Sequence, residues 1–183
     1  MESLLWLLVL AALVATVLLE VARRQRGALT ERLRDALPQE LQAARLFINE
    51  PRFPIRRHRP YPVAARPDRV YRLPDGSLAL LEIKTRAAHA VHPSDIAQLS
   101  VQRYAMLGTR RLRNVLPTGY IATVSTVNAS VRVHRVDLLS EQQTISLIAR
   151  YDAVAGGREA PRWPEDLARC RGCPHRQRCS RPH

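Results

Sequence analysis

"RPDRVYRLPDGSLALLEIKT", residues 66–85, holds two apolar-rich runs on either side of a Pro-Asp-Gly turn. The pattern x-Pro-Asp-Gly-x predicts a three-residue hairpin loop, a type I turn closed by a left-handed glycine. With Pro74, Asp75 and Gly76 in that loop, Leu73 faces Ser77, Arg72 faces Leu78, Val70 faces Leu80 and Asp68 faces Glu82. Side chains alternate along a strand, so Asp68, Glu82 and Lys84 share one face. A two-residue loop would slip the register by one and send Asp68 to the other face.

An aspartate directly across from a glutamate is destabilising unless something positive lies between them. Lys84 is the one lysine among 29 Lys plus Arg, which leaves 28 arginines. On the simplest reading it neutralises a surface patch. Arginine would serve that purpose equally well, and the chain uses arginine everywhere else. A compact ammonium can instead orient a water or donate to a developing phosphorane. Two carboxylates beside such a lysine suit a hard divalent cation that keeps several waters. That cation would lower the pKa of a bound water and stabilise a pentavalent phosphate. These residues point to metal-assisted phosphodiester hydrolysis.

Outward from the hairpin, "RLFINE" (45–50) predicts a short strand and the Pro- and Arg-rich stretch 51–67 a loop or irregular edge. "HPSDIAQLSVQRYAML" predicts a helix with Ser94 as its N-cap. "GYIATVST" and "VRVHRVDL" predict a second hairpin around "VNAS". Ser140 and Gln143 form a capping box opening "EQQTISLIARYDAVA". This order is that of a mixed α/β or α+β domain.

The N-terminus differs from the rest. Leu4–Leu19, "LLWLLVLAALVATVLL", is sixteen residues without a charge, followed by Glu20 and the basic "RRQR" at 23–26. A helix of that length covers about 24 Å, and residues 20–22 with a snorkelling glutamate close the gap to a core of about 30 Å. The head "MES" lacks the cation of a signal peptide, and no small-x-small site precedes the arginines. Residues 1–22 therefore read as one transmembrane helix and 23–44 as a basic juxtamembrane linker or helix broken at Pro38. Residues 45–183 read as the folded domain, placed in the cytoplasm by the positive-inside rule, at a bacterial inner membrane.

A net charge of +13 implies a polyanionic partner, nucleic acid or anionic lipid. Arg56, Arg57, Arg59 and Arg66 cluster just before Asp68 and are the candidate phosphate contacts. Cys170, Cys173 and Cys179 form a C-x2-C-x5-C tail, which in a cytoplasmic domain favours metal ligation over disulfides.

"RPD" (66–68), thirteen residues and then "EIK" (82–84) resemble the PD-(D/E)xK nuclease superfamily, and more narrowly its RecB-like and Cas4-like exonuclease branch. A second Pro-Asp at 74–75 belongs to the turn. That branch carries a Q-x-x-x-Y pattern on the helix after the ExK strand. Here Gln98 matches the glutamine, Gln102 stands at the tyrosine position, and Tyr104 lies two residues beyond. The cysteine tail resembles one that supplies three of four iron–sulfur ligands, but the upstream fourth cysteine is absent from this sequence. A non-cysteine fourth ligand, or zinc with His183 or His175, are the alternatives.

The resemblance implies a restriction-endonuclease-like core, a central mixed sheet flanked by helices. Asp68, Glu82 and the backbone carbonyl of Ile83 would hold Mg2+ or Mn2+, Lys84 would position water, and Gln98 would orient the lysine or touch DNA. The implied substrate is single-stranded or frayed DNA cut from an end. Two other readings stand beside this one: a catalytically weak or inactive module binding nucleic acid or a partner at the membrane, and a basic protein held by anionic lipid.

Overall fold

A computed structural model describes residues 2–162, 170, 173 and 176–178, with side chains except those of 2–12, 21–26 and 178. The chain divides into two compact units, residues 1–144 and 145–183.

The first unit is built on a five-stranded sheet in the order β1-β4-β5-β6-β7. These strands are β1 Arg45–Asn49, β4 Arg69–Arg72, β5 Leu78–Arg86, β6 Val115–Ser125 and β7 Val131–Asp137. The β4–β5 turn is the expected one: Leu73 N–H donates to Ser77 O, Gly76 N–H donates to Leu73 O, and Gly76 has φ +83°. Asp75 accepts from the backbone and hydroxyl of Ser77 at 2.9 and 2.6 Å, so the second Pro-Asp is turn chemistry. Val70 pairs with Leu80 and Arg72 with Leu78, the register of the three-residue loop. The ladder ends at Arg69–Leu81, one residue before Asp68.

Leu78 to Glu82 are all buried, an unbroken run that marks a strand covered on both faces. β5 and β6 run parallel. Parallel neighbours need a crossover, which α3 (Pro93–Leu107) supplies. Leu99 and Met106 of α3 pack with Val70, Leu80 and Ile121 on one face of the sheet. On the other face α1 (Glu2–Ala36) and α2 (Gln39–Gln42) bring Leu33 and Leu41 against Tyr71, Leu81, Tyr120 and Ala122. This is a mixed α/β fold with a central mixed sheet flanked by helices, consistent with a restriction-endonuclease-like core.

Several expectations need correcting. The stretch 51–67 is not simply a loop, because Ile55–Arg57 (β2) and Val63–Ala65 (β3) pair as a second, antiparallel sheet. The N-cap of α3 is His92, not Ser94, since Pro93 occupies the first helical position and pushes the cap back by two. Residues 23–36 continue α1 without a break, and the interruption falls at Pro38 as expected. Among the described residues no helix is long and apolar enough to cross a membrane. Beyond Leu19 the described part of α1 carries Glu20, Glu31, Arg32, Arg34 and Asp35. Most of the apolar run lies outside the described side chains, which begin at Leu13.

The connection from β5 to α3 is pinned at both ends. Arg86 forms a two-pronged pair with the buried Asp95 at 2.6 and 2.7 Å, while Asp95 also accepts from His92 N–H. His89 hydrogen-bonds Thr123 and Ser130 at 2.7 and 2.8 Å, tying the loop to the second hairpin. At the end of this unit, Ser140 and Gln143 cap one another reciprocally at the start of α4 (Glu141–Ala155), as expected. Within the second unit Arg150 pairs with Glu159 and Arg158 with Asp152, each at 2.7 Å.

The hairpin fixes the register of the charged residues, so its glycine is the sensitive point. Gly76→Ala should destabilise the fold by about 1–2 kcal/mol, because a Cβ is strained in the left-handed region. Urea unfolding checks this; an unchanged midpoint would show that the turn does not need a left-handed residue.

Candidate active site

Glu82 lies near the end of the buried run of β5, with 3% of its surface exposed. Burying a charged group is costly unless it is paired and hydrogen-bonded. Here three side chains meet that need. Lys84 Nζ lies 2.8 Å from Glu82 Oε1, Gln98 Nε2 donates to the same oxygen at 2.5 Å, and Gln102 Nε2 donates to Oε2 at 2.9 Å. Lys84 also donates to Gln98 Oε1 at 2.7 Å, closing a ring of lysine, glutamine and glutamate. An ammonium has three donors, and two are used.

Asp68 immediately precedes β4. Its Oδ2 accepts from Ile83 N–H at 2.7 Å, so the carboxylate caps the edge of β5 where the β4 ladder stops. An extended residue directs its N–H and C=O to the same side, which turns the Ile83 carbonyl towards Asp68 as well. The structure thus brings Asp68, Glu82, Lys84, Gln98 and Ile83 together. Burial raises the Asp68 pKa above its ordinary value; the Ile83 hydrogen bond and the Lys84 charge oppose this, and the neighbouring Glu82 and Glu50 charges add to the rise. Its charged form is disfavoured relative to a free carboxylate.

Those donors are all hard oxygens: two carboxylates and a carbonyl. Among the described residues no group of three or more His, Cys, Asp or Glu could hold a metal ion. Two carboxylates with the rest of the shell left to water and substrate phosphate is the arrangement Mg2+ favours. Asp68 and the Ile83 carbonyl fit such an ion, and Glu82 would join them by giving up one of its protein donors.

The arginines divide. Arg57 pairs with Glu141 at 2.7 Å, donates to the carbonyls of Arg59 and Tyr104, and stacks 3.9 Å over the Tyr104 ring. A Cβ at Gly108 would lie 2.6 Å from the Arg57 stem, so this glycine leaves room for it. Arg57 is a packing residue that locks β2 onto α3, not a free phosphate contact. Arg56, Arg59 and Arg66 are exposed.

Gln102 was missed as a site residue. Taken as a departure at the tyrosine position, it is 3% exposed and holds the second oxygen of Glu82. The signal was its spacing of four from Gln98, which puts both on one helix face. Its own Oε1 is buried without a hydrogen-bond partner among the described residues. Tyr104, the other tyrosine candidate, is buried under Arg57. Of the cysteine tail, Cys170 and Cys173 are described and unbonded, with Cys173 N–H donating to Cys170 O. Cys179, His175 and His183 lie outside the described residues.

No curated protein matches this chain. Among solved structures, SSO0001 is similar at 14% identity over 75% of this chain, with a TM-score of 0.43. The match covers 56% of that protein's length. The model of the PD-(D/E)XK nuclease superfamily matches residues 6–180, nearly the whole sequence, and the chain belongs to that superfamily.

Proposed function

We propose that the protein is a metal-dependent deoxyribonuclease, a Cas4-like or RecB-like exonuclease acting on single-stranded or frayed DNA. The observation that carries this reading is the ring of Glu82, Lys84 and Gln98 beside Asp68. Superfamily membership supports hydrolysis of nucleic acid; the exonuclease branch rests on the resemblance of the motif spacing.

Asp68, Glu82 and the Ile83 carbonyl would hold Mg2+ or Mn2+, which supplies Lewis acidity and an acidic bound water. Lys84 is fixed by Glu82 and Gln98, so its remaining N–H aims at a water or phosphate oxygen at no further entropic cost. Gln98 holds the lysine, and Gln102 holds the carboxylate that holds the lysine. Arg56, Arg59 and Arg66 would contact phosphates without reading sequence. The competing reading, a module that binds nucleic acid or a partner without cutting, draws on Glu82, whose two oxygens both already have protein donors.

The N-terminal helix is proposed as a single-pass anchor with the nuclease domain in the cytoplasm. Leu13, Val14, Val17, Leu18 and Leu19 are all more than half exposed, apolar surface that a bilayer would cover. The cysteine tail is proposed to hold an iron–sulfur cluster or zinc through Cys170, Cys173 and Cys179 with a fourth ligand other than cysteine.

Asp68→Asn separates the readings. A group whose folded pKa is raised contributes stability below its unfolded pKa and loses it as pH rises through the folded value. At neutral pH metal-free wild type therefore carries the cost of the ionised Asp68. Asparagine still accepts the Ile83 hydrogen bond without that charge. The variant should melt higher than wild type without metal, gain nothing from Mg2+ or Mn2+, and lose cleavage of labelled single-stranded DNA by orders of magnitude. Wild type should be stabilised by either ion. Wild-type protein that binds DNA and never cuts it at any metal concentration would favour the binding module.

Full-length protein should stay with membranes in high salt, because a hydrophobic hold is not screened. Extracted with detergent under anaerobic conditions, it should carry iron or zinc that Cys173→Ala loses. Release by salt alone would refute the anchor, and metal-free, normally folded protein would leave the cysteines without a ligand.

A further inference from the structure

Next to the Asp68 end of the site lies a cleft of about 390 Å³ between the loop after β1 and the start of β4. Glu50, Pro51, Arg52, Arg66, Pro67 and Asp68 line it. The loop is held against the site, since Glu50 N–H donates to Asp68 O at 2.9 Å. Arg52 and Arg66 pair with no described acidic residue, so the cleft presents two guanidinium groups beside a proposed metal ligand. Phe53, next in sequence to the lining residue Arg52, is 73% exposed. The guanidinium of Arg52 lies 5.4 Å from the Phe53 ring centroid and covers one face of the ring. The prolines at 51 and 54 restrict the backbone on both sides of the pair.

A lone exposed apolar residue needs no explanation. This one differs in company: an aromatic ring backed by a cation, on a loop bonded to Asp68, beside a cleft whose arginines pair with no described acidic residue. Base–aromatic stacking suits single strands of any sequence because every base has a π-face, and a cation behind the ring strengthens it. A duplex keeps its interior bases stacked on one another and offers the ring only the face of a terminal pair.

We propose that Phe53, backed by Arg52, is a stacking platform for an unpaired nucleobase, placed so that Arg52 and Arg66 take the flanking phosphates while the scissile phosphate lies at Asp68 and Lys84. The proposal rests on the nuclease reading and deepens it: the ring selects unstacked strands and sets the register of the end relative to the metal. Arg52 then has two tasks, to hold the ring and to neutralise phosphate.

The test uses full-length protein in detergent with Ca2+ to hold DNA without turnover, and short single-stranded oligonucleotides carrying 2-aminopurine at successive positions from the end. One position should show strong quenching that Phe53→Ala abolishes and Phe53→Trp retains. Phe53→Ala should weaken single-strand affinity about tenfold and leave the affinity for a covalently closed duplex unchanged. An abasic residue at the quenched position should lower wild-type affinity to that of the variant, with no further loss in the variant. Equal single-strand binding and cleavage by wild type and Phe53→Ala would overturn the platform while leaving the nuclease standing. An equal loss on abasic and intact strands would overturn it too. No DNA binding by wild type would overturn both.

Discussion

A carboxylate with 3% exposure in the middle of a sheet is the constraint on which this structure turns. Glu82 cannot sit at the end of the Leu78–Leu81 run without donors, and water does not reach it in quantity. The donors come from two places: Lys84, two residues on along the same face, and Gln98 with Gln102 from the helix packed above. Removing one partner from such a buried pair typically costs about 3–5 kcal/mol. The seating of α3 on the sheet is therefore tied to the charges of the site. Leu99 and Met106 bring α3 down on Leu80 and Ile121, and the Arg86–Asp95 pair sets where the helix begins. Packing and chemistry share the same elements.

Asp68 is handled differently. It is only partly buried, it lies beyond the strand ladder, and among the described residues its carboxylate accepts one hydrogen bond, from Ile83 N–H. Glu82 and Glu50 both disfavour its charge. The site thus has one carboxylate saturated by protein donors and one left under-compensated. A cation gains most from the second. Lys84, Gln98 and Gln102 hydrogen-bond Glu82, and of the three only Lys84 acts on Asp68, through its charge.

The hairpin was legible because its information is local. Pro-Asp-Gly dictates a turn type, the turn dictates the register, and alternation then gathers Asp68, Glu82 and Lys84. The β4–β5 ladder stopping short of Asp68 was not legible, since there the Asp68 carboxylate, and not a backbone carbonyl, takes the Ile83 N–H. The β2–β3 pair escaped notice because two three-residue strands among prolines carry no periodicity. Arg57 looked like its neighbours in sequence, and only the approach of Gly108, Tyr104 and Glu141 distinguishes it. For Gln102 the helical spacing was present in the sequence, but its burial depends on how α3 meets β5. The N-cap error has a plain cause: Pro93 at the first helical position outweighs a serine one residue later.

The central claim is that Lys84 acts as a fixed point donor rather than as a neutralising charge. Lys84→Arg tests it most directly, because the guanidinium keeps the charge but is planar and bulkier, and the rest of the chain already uses arginine. Single-turnover cleavage of labelled single-stranded DNA, across an Mg2+ and Mn2+ titration, is the measurement. The account predicts that Lys84→Arg folds, binds DNA and binds metal, yet cuts orders of magnitude more slowly at every metal concentration. Wild-type turnover in Lys84→Arg would contradict it and leave Lys84 as a charge partner of Glu82 alone.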